Sequence, residues 1–325
     1  MAEKRKLGHS DLYVTPIGLG VMQFAGGRGI FRQLFNYFDQ PVKDEIVRSA
    51  LEGGINWFDT AEMYGNGRSE RALRDALVNN GVADEDVLIA SKWWPVPRFA
   101  GSIRRTIGTR LGNLSPYTLD LHQVHWPNSF SSPETQMNVM ADLVEAGKIR
   151  AVGVSNFGET YTHRAHQALV KRGLGLASNQ VQFSLLHRDI EQNGILKAAK
   201  ELGVTIIAWS PLASGLLSGK FHKDAQILAN TPKTRRRRLA GQLKATQPLI
   251  DVLDEIAQRH GKSISQVALN WTIHFHGETV MAIPGASKVR HAQEAAGVLD
   301  FRLTDAEMAQ LDELTRNTNL RTLQV

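Results

Sequence analysis

Four residues of this chain stand out for the chemistry they can do: Asp59, Tyr64, Lys92 and His125. Each lies at or just beyond the end of a short apolar run, in NWFDT, DTAEMYG, ASKWW and VHWP. Taken singly, each has an ordinary reading: a helix cap, a loop aromatic, a solvated lysine, a hydrogen-bonded core histidine. Taken together they make a proton-transfer set. A tyrosine hydroxyl has an ordinary pKa of ~10, and a nearby ammonium lowers it by favouring the phenolate. Lys92 supplies the ammonium. Asp59 is the counter-ion that keeps a buried lysine charged. His125 hydrogen-bonds a substrate oxygen or relays the proton. The chemistry that fits is proton transfer coupled to carbonyl reduction.

Distant residues meet only if regular elements deliver them to one place. Short β-rich runs are expected at Ile17–Gly20, Ile55–Phe58, Val87–Ala90, Leu119–Val124, Ile149–Val154, Ala177–Val181, Val204–Ala208 and Val280–Ile283. All but the last interval are close to the ~30 residues of a βα unit. Helical patterns fill the gaps. Lys43–Glu52 carries an apolar stripe, Ser69 looks like the N-cap of the next helix, and Ser132-Pro133 pairs an N-cap with proline at the first helical position. Glu191–Leu202 ends at Gly203. Strands alternating with helices predict an α/β fold, a (β/α)₈ TIM barrel. A doubly wound sheet is the rival, but GLG at Gly18–Gly20 continues as Val-Met-Gln, and the GxGxxG fingerprint fails at its third glycine. Residues 4–15 read as an N-terminal β-hairpin capping the barrel bottom. Further helices are expected near 248–260 and 263–274, after the seventh strand, and at the C-terminus. In such a barrel the strand ends form the active face, and they also deliver Ser155, Asn156, Gln180 and Ser210 to it.

Composition narrows the class. The chain has 325 residues, with 42% hydrophobic and 22% charged residues, within the globular range. One barrel domain over 1–325 is expected. There is no cysteine, which excludes disulfides, thiolate metal sites and a cysteine nucleophile. No run approaches the ~18 apolar residues of a membrane span, and the polar start has no secretory pattern, so a cytoplasmic protein without a membrane or nucleic-acid partner is expected. The net charge of +6 is compatible with a phosphate-bearing cofactor. The densest cluster, Arg235–Arg238, reads as a solvated loop without aromatics to stack bases.

Asp59, Tyr64, Lys92 and His125, in this order and spacing, resemble the tetrad of the aldo-keto reductase family. GLGVMQF, GGINWFDTAEMYG, EAGKIRAVGVSNF, NQVQFSLL, GVTIIAWSPLASGLLSGK and AIPGASKVRHAQEAAGVLDFRLTDAE resemble family segments in the same order, from about residue 5 to 315. The resemblance implies a TIM barrel that binds NADP(H) across its C-terminal face and passes hydride to an aldehyde or ketone, with Tyr64 as general acid. It places Ser155, Asn156 and Gln180 at the nicotinamide carboxamide. An aromatic near the end of the seventh strand, where Trp209-Ser210 stand, would stack on the ring. Ser210, Leu212 and Gly215 match the pyrophosphate loop, with Lys220 beside it. Gly285 through Arg290 match the 2′-phosphate segment and Glu294 the adenine. Ser287 stands where many relatives carry Lys or Arg, which leaves Lys288 and Arg290 as its cations.

Other readings fit less of the pattern. A metal-dependent hydrolase needs clustered ligands, and the H-x-H at His274 and His276 precedes the eighth strand, on the wrong face; no metal is expected. A class I aldolase with Lys92 as Schiff-base lysine leaves Tyr64 and His125 without a task. Potassium-channel β subunits, which resemble this family and bind NADP(H), provide a sensor or partner-subunit alternative. Met22, Phe24, Trp93, Trp94 and Trp126 are the expected substrate pocket, an apolar mouth around a polar centre that suits a small-molecule carbonyl. Phe31, Leu34, Phe35 and Phe38 have helical spacing, which predicts a short amphipathic lid within the loop 25–41.

Overall fold

Within the parallel sheet the side chains of each strand alternate between the barrel interior and the surrounding helices, and that alternation positions everything else. The computed structural model describes residues 3–26 and 38–316. A hairpin, β1 (Arg5–Lys6) and β2 (Tyr13–Val14), precedes the barrel strands. These are β3 (Leu19–Gly20), β4 (Trp57–Asp59), β5 (Leu88–Trp93), β6 (Leu121–Val124), β7 (Ala151–Ser155), β8 (Leu176–Gln182), β9 (Thr205–Trp209) and β10 (Val280–Ile283). They pair in parallel, in sequence order. Between β10 and β3 the circle is closed by bridges from Ile17 to Ala282 and from Gly20 to Gly285. The protein is therefore the eight-stranded parallel barrel that its strand spacing predicts, with the expected antiparallel hairpin.

Helices α1 (Gln40–Glu52), α2 (Arg68–Asn79), α3 (Gly101–Leu114), α4 (Pro133–Glu145), α5 (Glu159–Val170) and α6 (Ile195–Leu202) follow β3 to β8 in turn. After β9 come α7 (Lys220–Lys223), α8 (Ala225–Ala229), α9 (Lys233–His260) and α10 (Ile264–His274). After β10 come α11 (Val289–Ala296) and α12 (Asp305–Arg316). Apolar faces of these helices bury the outward side chains of the strands in one continuous core.

The lower interior is filled by Trp57, Ala90, Leu121, Ala151, Ala177, Ile207 and Met281, sealed from below by Leu7, Leu12 and Val14 of the hairpin segment. The Trp57 indole donates to the Thr15 carbonyl at 2.9 Å. Two residues further along their strands, the same inward row becomes polar: Asp59, Lys92 and Gln123. The hairpin is a plug. Gly8 lies at φ +46°, and its N–H donates to Thr205 Oγ1 at 2.9 Å.

Several local expectations change. Ser69 does not cap α2, whose N-cap is Gly67 at φ 78°. Instead the buried Ser69 hydroxyl donates to the Val21 carbonyl at 2.7 Å and accepts from Thr60 at 2.9 Å, because the chain ahead of α2 turns back over the barrel. The helix before Gly203 begins only at Ile195, since Gly194 breaks it in a left-handed conformation. The helix expected near 248–260 begins already at Lys233, so Arg235–Arg238 lies in the first turns of α9 and not in a solvated loop. A 3₁₀ turn at Ala213–Ser218 and the two short helices precede it. Phe31, Leu34, Phe35 and Tyr37 of the expected lid lie outside the described residues, and Phe38 packs edge-to-face on Phe24. Among the described residues no helix is long and apolar enough to cross a membrane.

A Cβ on Gly8 would stand 2.1 Å from the Ala177 carbonyl oxygen. Gly8→Ala therefore displaces the plug and is expected to cost about 1–3 kcal/mol. A thermal melt showing a fall of several degrees is the expected result, and an unchanged Tm refutes the plug's close seating.

Candidate active site

Lys92 is fully buried in the interior of β5, and its ammonium needs partners. It pairs with Asp59 Oδ1 and donates to the Thr60 carbonyl at 3.0 Å. The other oxygen of Asp59 accepts from Gln180 Nε2 at 2.8 Å and Gln123 Nε2 at 3.2 Å. Burial alone lowers the Lys92 pKa, but Asp59 and Tyr64 outweigh it and hold the pKa above its ordinary value. The ammonium thus stays charged inside the barrel.

Tyr64 reaches the same point from the turn after β4. The Lys92 Nζ lies 5.2 Å from its ring centroid and interacts with its hydroxyl. Burial raises the Tyr64 pKa, and the charge of Lys92 opposes this without cancelling it. The expectation that Lys92 brings this hydroxyl below its ordinary range is therefore corrected: the dry surroundings win, and Tyr64 keeps its proton at neutral pH.

His125 follows β6. Its ring meets those of Tyr64 and Trp94 edge-on, at centroid distances of 5.7 and 5.4 Å. Burial, and then the charge of Lys92, push its pKa down to about 2, so it is a neutral imidazole. Its Nδ1 is buried and has no hydrogen-bond partner among the described residues. A neutral phenol, a charged lysine and a neutral imidazole therefore converge at one end of the barrel, an arrangement able to protonate an oxygen.

The aldo/keto reductase family profile matches residues 16–316. This chain belongs to that family. It is 35% identical to the chloroplastic pyridoxal reductase of Arabidopsis thaliana, covering 95% of this chain and 85% of that protein. It is 31% identical to a 6-dehydroglucose reductase of Novosphingobium aromaticivorans, covering 92% and 90%. Among solved structures, an aldo-keto reductase from Klebsiella pneumoniae in complex with NADPH superposes with a TM-score of 0.75, at 25% identity over 100% of this chain and 99% of that one. The protein is thus an oxidoreductase of the aldo-keto reductase family.

In this aldo-keto reductase the residues expected at the cofactor fall into two groups. Near the centre, Ser155 donates to the Gln180 carbonyl at 2.8 Å and accepts from Asn156 at 2.9 Å. Asn156 holds φ +61°, a costly conformation for a non-glycine residue and one found at ligand clamps. Its Oδ1 accepts from the Trp209 indole at 3.1 Å, and its Nδ2 donates to the His125 carbonyl at 3.2 Å. The Gln180 amide nitrogen is committed to Asp59, inside the barrel. Toward the periphery, Ser210, Ala213, Ser214 and Gly215 all have positive φ, making a compressed loop together with Leu212. A Cβ on Gly215 would come 3.1 Å from the Lys220 Nζ, so the lysine folds back over that loop. Gly285, Ser287, Lys288 and Arg290 are exposed and Glu294 half-buried, at or near the start of α11. His291 is pushed to about 4 by burial and then by the charges of Lys220, Arg290 and Lys288. The charges of these three cations therefore all act on one imidazole.

The pocket expectation needs correcting at two residues. Trp93 follows the inward Lys92 and so points outward, fully buried, with its indole donating to Ser102 on α3 at 3.1 Å. Phe24 is buried against Phe38. Neither side chain reaches a mouth. Met22 and Trp94 are half-buried and Trp126 is exposed. Gln23 and Gln123 were not singled out by their sequence pattern. Gln123 interrupts an apolar strand, which is a usable signal. Gln23 has none: its buried Oε1 lacks a partner among the described residues, and its Nε2 lies 2.4 Å from where a Cβ on Gly285 would be.

A buried imidazole depressed this far stays neutral where an ordinary histidine, with a pKa of ~6.5, is charged. NMR of the His125 ring is expected to show no protonation down to about pH 4. A midpoint near the ordinary value overturns its dry setting.

Proposed function

We propose that this protein catalyses the NADPH-dependent reduction of an aldehyde or ketone to an alcohol, and the reverse oxidation. The observation that carries the reading is the protonated Tyr64 hydroxyl held beside the charged Lys92, itself paired with Asp59. When bound, the dinucleotide supplies the hydride at its nicotinamide. The residues do the remaining work. Tyr64 donates its proton to the carbonyl oxygen as negative charge develops there. Lys92 stabilises the phenolate left behind, and Asp59 keeps Lys92 charged and aimed. Neutral His125 hydrogen-bonds the substrate oxygen and fixes its direction, and Trp94 packs against His125. In the reverse direction the same groups return the proton to Tyr64.

The residues fit NADP(H). Lys220, Lys288 and Arg290 gather around His291, a positive site for the 2′-phosphate, with Ser287 beside them and Glu294 toward the adenine. The left-handed loop through Ser210, Leu212 and Gly215 suits the pyrophosphate. The orphaned Gln23 Oε1 is an acceptor for a ribose hydroxyl. Ser155, Asn156 and Gln180 would hold the nicotinamide end, and Trp209, which donates to Asn156, would offer it a flat face. Met22, Trp94 and Trp126 favour a carbonyl on an aromatic or medium apolar body, and the similarity to a pyridoxal reductase supports that class. A single barrel unit carries the activity, in the cytoplasm.

Tyr64→Phe removes the acid with little change of volume. Its kcat for carbonyl reduction is expected to fall by about 10²–10⁴-fold, with NADPH binding retained, as followed by absorbance of the reduced cofactor and by fluorescence titration. Turnover above a tenth of the parent's removes Tyr64 from the mechanism. Charge-assisted contacts of Lys288 and Arg290 with a 2′-phosphate correspond to a preference for NADPH over NADH of about 10–100-fold in Kd. Lys288→Ala with Arg290→Ala is expected to abolish most of it and leave NADH affinity nearly unchanged. Full retention of the preference places the discriminating charge elsewhere.

A further inference from the structure

The turn between Asp59 and Tyr64 carries a buried carboxylate that proton transfer does not use. Glu62 is 5% exposed. Its N–H donates to the Lys92 carbonyl at 3.2 Å. Its Oε1 accepts from the Trp94 N–H at 2.9 Å and pairs with Arg98. Its Oε2 pairs at 2.6 Å with Arg110, an equally buried guanidinium on α3. Arg110 also faces Glu70 Oε2 at 2.9 Å. Glu70, in the first turn of α2, in turn accepts from the Ser91 hydroxyl and from Asn113, both at 2.7 Å.

Three points of the chain around Lys92 are thereby tied to the chain on either side of Tyr64. Ser91 is held through Glu70, and the Lys92 carbonyl and Trp94 N–H are held through Glu62. Glu62 and Glu70 are balanced by the buried guanidinium of Arg110 and the partly exposed one of Arg98, so losing Arg110 leaves buried negative charge uncompensated, whereas water can take the place of Arg98. The backbone of Tyr64 is bonded only nearby in sequence: its N–H donates to the Ala61 carbonyl at 3.1 Å and its carbonyl accepts from the N–H of Ser69, at the start of α2, at 3.2 Å. A misplacement of about 1 Å at a reacting group costs on the order of 10²-fold in rate, and a strand residue meets a loop residue at that accuracy only if something locks them together.

We propose that Glu62 is a positioning residue, which with Arg110 behind it locks the Tyr64 turn to the end of β5 and sets the placement of the hydroxyl against Lys92. Through Arg98, whose side chain is 37% exposed, the lock extends to the segment that carries Trp94. This inference rests on Tyr64 being the acid, and the test separates the two. Glu62→Gln keeps the acceptor for the Trp94 N–H and removes the charge. Its kcat is expected to fall about 10–100-fold, with the Kd for NADPH, read by fluorescence quenching, within about twofold of the parent. Placed in the Tyr64→Phe background, the same change is expected to lower turnover no further, because a residue acting through Tyr64 has nothing left to act on. If Glu62→Gln is too unstable to purify, Arg98→Ala, which leaves the deeper pair with Arg110 intact, carries the same cycle with an expected drop of about three- to tenfold. Unchanged kcat, loss of NADPH affinity in parallel with kcat, or full additivity with Tyr64→Phe each overturns the positioning role. A Tyr64→Phe enzyme that keeps more than a tenth of the parent's turnover overturns the acid assignment itself, and the positioning role with it.

Discussion

An ammonium held out of water inside a barrel constrains everything around it. Removing one partner from a buried ion pair typically costs 3–5 kcal/mol, because the remaining charge has nowhere to go. Lys92 is therefore tolerable only with Asp59 beside it, and Asp59 only with its second oxygen satisfied by Gln180 and Gln123. Four strands, β4, β5, β6 and β8, each contribute one side chain to a single charge-balanced cluster. The same dryness that makes the pair costly makes it effective, since electrostatic interactions strengthen as water is excluded.

That dryness also decides the protonation states. Lys92 alone would draw Tyr64 toward phenolate, but burial outweighs it and the phenol keeps its proton. His125, shielded and facing a cation, stays neutral. A phenol with a proton to give beside a neutral imidazole is the arrangement that the proposed carbonyl reduction requires. The apolar plug from the hairpin segment belongs to the same arrangement, because Leu7, Leu12, Val14 and Trp57 close the interior below the polar row.

The active face is also divided. Cations of α7 and the start of α11 converge around His291, while the aromatic side chains Trp94 and Trp126 come from the segments after β5 and β6. Charge and apolar surface are thus assigned to different strand ends, which suits a long phosphate-bearing ligand on one side and a carbonyl compound on the other. On the Trp94 side, Glu62 with Arg110 behind it ties the Tyr64 turn to the end of β5.

Much of this was determined locally. Runs of β-branched and apolar residues about 30 positions apart dictate alternating strands and helices, and Gly203 and Ser132 end and begin helices as their own chemistry requires. Asp59, Lys92 and His125 stood out because a polar residue closing an apolar strand is conspicuous, and because each lies in a segment that resembles the family's. Tertiary structure decided the rest. Trp93 and Lys92 are neighbours in sequence, yet the period of two sends one into the helical layer and the other into the barrel. Ser69 has the type and place of a cap, but is used to hold Val21. Arg235–Arg238 lies in the first turns of α9, a 28-residue helix that packs against α10 and α12, and no local charge pattern reveals this. Glu62, in DTAEMYG, is an ordinary surface residue by its type. Only the approach of α3, bringing Arg110 to within 2.6 Å, buries it. Residue types and their periodicity are local properties, whereas desolvation and the meeting of charges depend on atoms far apart in the chain, and those are set only when the barrel closes.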